Sequence, residues 1–229
     1  PARTESVGRG QDTSYTVTNF TPIARIDYRF SDSKQLRVRY RGRTNQPSIN
    51  QLMPITDNSD PLYRVEGNKN LKPEFTHSLS TNYQVNDRIK FSWFNVGLDL
   101  SYTQDDIVSK KYYTDEGVQI STYENTGKAV YSVNGRIMYN APIGKSNFTI
   151  NTFTRAGYNN GISYVREKQN FVENETKNLN IFQMLRLTYR NDWAEIIAGG
   201  RVNYRNAKYS VGSMEDVERW TNAITGSIN

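Results

Sequence analysis

The chain contains no cysteine, so neither a disulfide framework nor thiol chemistry is available to it. It also lacks any apolar run near the roughly 18 residues that a membrane helix requires. That excludes a helical span but not a barrel, whose strands interleave lipid-facing with polar residues. Imidazole is nearly absent: the lone histidine, His77, has no partner at metal-site spacing and sits among apolar neighbours, as an interfacial residue would. P-loop, zinc and nucleophile-elbow patterns are missing, so the expectation is no enzymatic activity, no cofactor and no metal. Asp105-Asp106 and the Asp57 and Asp60 pair come nearest to a calcium loop, but its glycine and glutamate are missing, and turn capping explains them better. No charged-then-apolar leader opens the chain, so an export signal is expected upstream of residue 1.

Hydrophobic residues are also scarce, at 36% of 229 residues, and the mean hydropathy is −0.76. A large dry core cannot be built from so little. Aromatics nevertheless reach 12%, with 16 tyrosines, which points to apolar material spread thinly along a surface. The net charge of +6 and a pI near 9.4 raise anionic partners, and the placement of the arginines decides what that charge is for.

What is present is strict alternation. Residues 1–15 have no period and read as a loop or frayed end. From Thr16, Phe20, Pro22, Ala24, Ile26, Tyr28 and Phe30 occupy one face, against Arg25, Asp27 and Arg29 on the other. A tight turn at 31–34 leads to Leu36, Val38 and Tyr40 alternating with Arg37, Arg39 and Arg41. Strands of the same style follow at Phe75–Val85 and from about Ile89 to Thr103. In the latter, Phe91 and Trp93 fall out of phase with Phe94, Val96, Leu98, Leu100 and Tyr102, so a bulge is expected near Trp93-Phe94. Residues 104–127 form a long polar connection with room for a hairpin at Asp115-Glu116-Gly117. A third pair runs Tyr131–Tyr139 and Phe148–Tyr158 around a turn at 141–146, Asn159–Lys177 reads as polar loop, and a fourth runs Leu179–Tyr189 and Ile196–Tyr204. A last polar excursion ends at Trp220, and Ala223–Ile228 reads as a ninth strand cut short.

One stretch does not alternate. Residues 43–75 carry prolines at 47, 54, 61 and 73, which remove backbone donors, and turn-formers at Asp57-Asn58-Ser59-Asp60 and Gly67-Asn68. This is a long excursion between two paired strands. Within it, Arg43-Thr44-Asn45-Gln46-Pro47-Ser48-Ile49, Asp57–Leu62 and Gly67-Asn68-Lys69-Asn70-Leu71-Lys72-Pro73-Glu74-Phe75 resemble the outer-membrane β-barrel family related to TonB-dependent receptors, the SusC-like transporters among them. The motif positions are Asn45, Gln46, Pro47, Asn68, Leu71, Pro73 and Glu74, with Lys69 where the family usually has proline. Val118–Thr122 and Gly200–Tyr204 resemble it too, so the likeness covers nearly the whole chain. The resemblance implies uptake of a solute too large for porins, loops that take part in capture, and a plug, a TonB energy complex and a surface lipoprotein as partners.

Two regularities support a transmembrane barrel independently. Short turns alternate with long loops, and Tyr28, Phe30, Tyr83, Phe91, Tyr139, Phe148, Tyr189 and Trp193 gather beside the short turns as an aromatic girdle would. A second set, Tyr40, Tyr102, Tyr158 and Tyr204, marks the other strand ends. The opposite face carries Arg25, Arg29, Arg37, Arg39, Arg41, Arg136, Arg155, Arg186, Arg190, Arg201 and Arg205, with Asp27 and Asp99 as carboxylates that could pair with them. In a barrel these residues line the lumen and meet plug carboxylates or anionic solutes. Nucleic acid is excluded, because arginine and tyrosine lie on opposite faces and bases could not stack beside phosphate contacts.

The fold class expected is therefore all-β, an antiparallel up-and-down transmembrane barrel segment of about eight strands plus a partial ninth. Residues 1–229 form one partial barrel domain without a plug, held in outer-membrane lipid of a Gram-negative cell. Strand one runs toward a short turn and the final residues lack a terminal aromatic, which favours an internal arc over a stand-alone eight-stranded barrel. A soluble or surface-attached β-sheet binding protein is the alternative from a different class, since alternating strands also build sandwiches.

Overall fold

The computed structural model describes residues 2–3, 16–17, 19–52, 62–114, 117–167 and 170–229. Its elements are β1 (Ala2–Arg3), β2 (Thr16–Val17), β3 (Ile23–Ser31), β4 (Lys34–Asn45), α1 (Ile49–Leu52), β5 (Tyr63–Val65), β6 (Glu74–Asp87) and β7 (Ser92–Gln104). There follow β8 (Ile107–Tyr113), β9 (Gln119–Asn125), β10 (Val130–Pro142), β11 (Phe148–Glu167), β12 (Asn170–Arg190), β13 (Glu195–Tyr209) and β14 (Val217–Ile228). Nine strands make one antiparallel sheet in the order β14-β13-β12-β11-β10-β7-β6-β4-β3, so consecutive members are neighbours throughout. The sheet is open, ending at β3 and β14.

Alternation dictates this arrangement. A strand presents successive side chains to opposite faces, and the registers keep like faces together: Leu36 pairs with Tyr83, Val96 with Tyr83, Ile137 with Val96, and Leu187 with Ile150. The result is a single layer with an apolar and a polar face. Among the described residues no second layer covers the apolar face, where Leu98, Ile137, Leu185 and Leu187 remain 37–49% exposed. A sandwich would bury them, so the soluble two-layer reading does not describe this sheet. Most of the buried apolar residues, Leu71, Val108, Ile120 and Ile162 among them, lie instead at the long-loop end, with Ala141 beside a short turn.

Several boundaries differ from the sequence reading. The long excursion begins at Gln46 and not Arg43, because Arg43, Thr44 and Asn45 continue the ladder opposite Thr76, Phe75 and Glu74. The bulge expected near Trp93-Phe94 is absent, since β6 and β7 stay in register from Phe75↔Gln104 to Asp87↔Ser92. Phe91 belongs to the turn before β7, with a positive φ of 51°, and Trp93 simply lies on the polar face. The register shift occurs in β3, between Arg29 and Ser31, leaving Phe30 without a partner. Of the stretch read as loop, residues 159–167 and 170–177 are ladder: β11 and β12 pair from there out to Glu167↔Asn170. This part of the hairpin lies beyond the aromatic band and packs against β8, with Asn160, Ile162 and Asn174 buried, so lipid no longer enforces alternation and its composition resembles a loop.

The ninth strand is not cut short. β14 pairs with β13 from Val217↔Ala207 to Ile228↔Ile196, so Trp220 lies within a strand and does not end a loop. The first residues are not wholly irregular either, as Ala2 pairs with Val17 and Arg3 with Thr16. The expected hairpin inside 104–127 is present as β8 and β9, closed by the Thr114 amide on the Val118 carbonyl at 2.9 Å, and β5 adds to it in parallel.

Candidate functional site

Three sets of residues have an arrangement that local folding alone does not require. The first is aromatic, on the apolar face. Beside the short turns, Tyr28 meets Phe30 edge-on at 4.7 Å, Phe30 meets Tyr83 at 6.1 Å, Phe94 meets Tyr139 at 6.5 Å and Phe148 meets Tyr189 at 4.9 Å. Phe91 and Trp193 sit in turns, 80% and 83% exposed. At the opposite strand ends lie Phe20 with Phe75 (6.4 Å), Tyr131 with Tyr158 (6.0 Å) and Tyr204 with Trp220 (4.4 Å). His77 belongs here: its Nδ1 is 2.8 Å from the Tyr40 hydroxyl, and Phe75 and Tyr102 flank its ring. Along β6, Phe75 and Tyr83 are eight residues apart, and along β11 Phe148 and Tyr158 are ten. At about 3.3 Å per residue and a tilt of about 40°, these spacings bracket a band about 20–25 Å tall.

The second set is the guanidinium row on the polar face. Arg25 pairs with Asp27, and Arg37 reaches both Asp27 (3.7 Å) and Gln35 (3.0 Å). Across β7, Asp99 accepts from Ser80 Oγ at 2.5 Å and from Arg136 Nη1 at 3.0 Å. Arg136 can lie flat over β7 because its register partner is Gly97, where a Cβ would fall 2.5 Å from the guanidinium carbon. Among the described residues, Arg29, Arg41, Arg155, Arg186 and Arg201 have no ion-pair partner. Two shallow depressions of the sheet both lie on this face. Sequence reasoning missed an apolar island lower on the same face, Met138, Phe153, Phe182 and Met184, with the two phenylalanine rings 5.7 Å apart. Its signal was there: all four residues are out of phase with the apolar residues of their strands.

The third set ties the long loops together. Ser48 and Gln51 form a reciprocal cap on α1, with the Gln51 amide on Ser48 Oγ and the Ser48 amide on Gln51 Oε1 at 2.8 Å. Asn68 receives its place from α1 and β9: its amide donates to the Gln51 carbonyl (2.6 Å) and its Nδ2 to the Tyr123 carbonyl (2.9 Å). Leu71 is buried, and the Lys72 backbone is gripped at both ends by the Asn125 side chain. Glu74 Oε1 accepts from the Ile107 amide at 2.8 Å and Oε2 faces Asn45 Nδ2 at 3.4 Å. Pro47 is buried and Pro73 exposed; Gln46 donates to Asn19 at 2.7 Å while its Oε1 is buried without a partner. The motif residues thus anchor one loop to another over the top of β6. Burial, helped by the adjacent Glu74 carboxyl, raises Asp106 above the usual carboxylate range. Burial and a hydrogen bond to Glu124 raise the Tyr164 hydroxyl, whose ring also takes Lys110 at 4.8 Å. Lys128 is raised by Glu173, 2.7 Å away.

Among the described residues no cluster of histidines and carboxylates has the makings of a metal site, and Asp57 and Asp60 lie outside them. The molecule combines a one-layer antiparallel sheet with aromatic bands at both ends of its uncovered face. The outer membrane protein beta-barrel family matches the chain over residues 2–222. The chain belongs to this family. As an outer membrane β-barrel protein it resides in the cell outer membrane. No curated protein matches it.

Proposed function

We propose that this outer membrane β-barrel chain is an arc of a larger, plugged transporter of the TonB-dependent-receptor type, resembling the SusC-like members. In this reading it supplies part of the wall and the extracellular loops for uptake of a solute too large for porins. The rest of the wall, a plug, an inner-membrane energy complex and a surface lipoprotein complete the machine. The aromatic bands mark the two headgroup layers, Leu185 and its neighbours face hydrocarbon, and the arginine row lines the lumen. The chain is a conduit and carries out no catalytic step.

The observation that carries the proposal is the strand count of the open sheet. Nine strands in strict up-and-down order leave β3 and β14 running the same way, so direct closure between them would need a parallel pair. Bacterial single-chain barrels have even strand numbers and antiparallel neighbours throughout. Further strands between the two edges resolve this, and the large transporters have about 22 around a plugged lumen. The interlocked loops support it as well, because a capture surface must keep its shape between ligands.

A planar-bilayer measurement on the full-length protein tests this. A plugged transporter should pass almost no current in potassium chloride until urea loosens the plug, and should then conduct. A steady open pore without urea would indicate a porin-like or stand-alone small barrel instead. A monodisperse, detergent-free monomer would remove the membrane assignment altogether.

A further inference from the structure

The arginine row is not uniform, and the difference points to what it binds. Between β4, β6, β7 and β10 the polar face dips into a depression of about 260 Å³ walled by Arg39 and Arg41 and floored by small side chains, Ser78, Ser80, Ser101 and Ser132. Its one carboxylate, Asp99, is already taken by Ser80 and Arg136. Neither the Arg41 nor the Arg39 guanidinium makes an ion pair among the described residues, and Asp27 nearby is held by Arg25 and Arg37. A second depression, about 320 Å³, shares Ser101, Ser132 and Asn134 with the first and continues through Thr103 and Asn159. Together they make one groove, cationic at one end and carrying a track of hydroxyls and amides along the rest, with Leu79, Leu100 and Val130 between them.

We propose that this groove is a subsite for a hydroxyl-rich acidic solute of the acidic-sugar kind, its carboxylate or phosphate held by Arg39 and Arg41 and its hydroxyls by the serine and asparagine track. This rests on the transporter reading above and names the class of solute. A fork of two guanidinium groups gives paired, charge-assisted hydrogen bonds to a planar or tetrahedral anion. Hydroxyl and amide side chains both donate and accept, as a polyol requires. A protein segment is the rival occupant, but docking patches have an apolar centre. Apart from Val130 at its far end, the apolar residues of this face, Met138, Phe153, Phe182 and Met184, lie toward the short turns, outside the groove.

Titration calorimetry on the full-length protein in detergent decides it, with glucuronate, glucose 6-phosphate, glucose and inorganic phosphate as probes. Both acidic sugars should bind, glucose and inorganic phosphate each at least about tenfold more weakly, and added salt should weaken the acidic sugars steeply. Replacing both Arg39→Gln and Arg41→Gln should lower acidic-sugar affinity about tenfold or more, the double lysine replacement should restore much of it, and Arg201→Gln, on β13 away from the groove, should change nothing. Equal binding of glucose, or undiminished binding by the double glutamine variant, overturns the subsite. So does silence toward glucuronate in a preparation that has passed the conductance test, and that result leaves the transporter reading standing. A failed conductance test with acidic-sugar binding intact separates the two the other way.

Discussion

Asp106 and Glu74 meet where two loops are fastened to the top of β6, and the raised affinity of Asp106 for its proton has a consequence for stability. A carboxyl whose value is higher folded than unfolded binds more protons in the folded state, so the stability it contributes is present at low pH and fades as pH climbs through the raised value. The Ile107 amide, held by Glu74, and the Thr126 amide, held by the Asp106 carbonyl, report on this junction. After correction for intrinsic rates, their hydrogen exchange should quicken from mildly acidic pH toward neutral, and Asp106→Asn should flatten the profile. The opposite slope would mean that Asp106 is ionised in the folded junction. A second single-residue test concerns Gly97. An alanine there collides with Arg136 and pushes it from Asp99, which for a half-exposed pair costs about 1 kcal/mol or less, whereas Gly135→Ala meets nothing nearer than 4.0 Å. Urea midpoints in detergent should separate the two. Neither Gly97 nor the grip of Asn125 on Lys72 could be read from the sequence, because both depend on residues brought together from distant strands. The Ser48 and Gln51 cap was legible, being an S-x-x-Q signature, but the prolines around it drew the reading toward turn.

Elements were legible wherever water and lipid lie on opposite sides. There the period of two is enforced, and the ladders through Leu36–Tyr40, Val96–Tyr102 and Leu185–Tyr189 stand where alternation put them. Beyond the lipid-facing span, where the hairpin packs against β8 and buries Asn160, Ile162 and Asn174, the pattern lapses, which is why the upper half of the β11/β12 hairpin looked like loop although its ladder reaches Glu167↔Asn170. Trp93 misled in another way: a large aromatic on the polar face mimics a phase change. The two faces should respond unequally to the same insult. Leu185→Arg, at mid-height on the apolar face and 49% exposed, should cost about 2–4 kcal/mol in lipid vesicles, while Asn203→Arg on the polar face of β13 should cost little. Equal costs in a urea titration would mean that hydrocarbon does not touch the Leu185 face.

At the scale of the whole molecule the two edges decide the reading. Every residue of β3 is exposed, and Ile224 and Ile228 of β14 are 92% and 78% exposed, so both edges carry free backbone groups and apolar side chains that other strands would cover. The absence of cysteine makes the question easy to ask, since any introduced pair is unambiguous. Cysteines replacing Ile26 and Val38, direct partners across β3 and β4, should cross-link readily in the full-length protein in membranes. Cysteines replacing Ile26 and Ile224, on the two open edges, should not if, as proposed, further strands stand between those edges. An efficient Ile26–Ile224 cross-link would mean that β3 and β14 are neighbours and that nine strands close a small barrel on their own. Absence of that product, with the control pair formed, leaves the gap between the edges to be filled by further strands and makes the groove beside Arg39 and Arg41 one sector of a wider lumen.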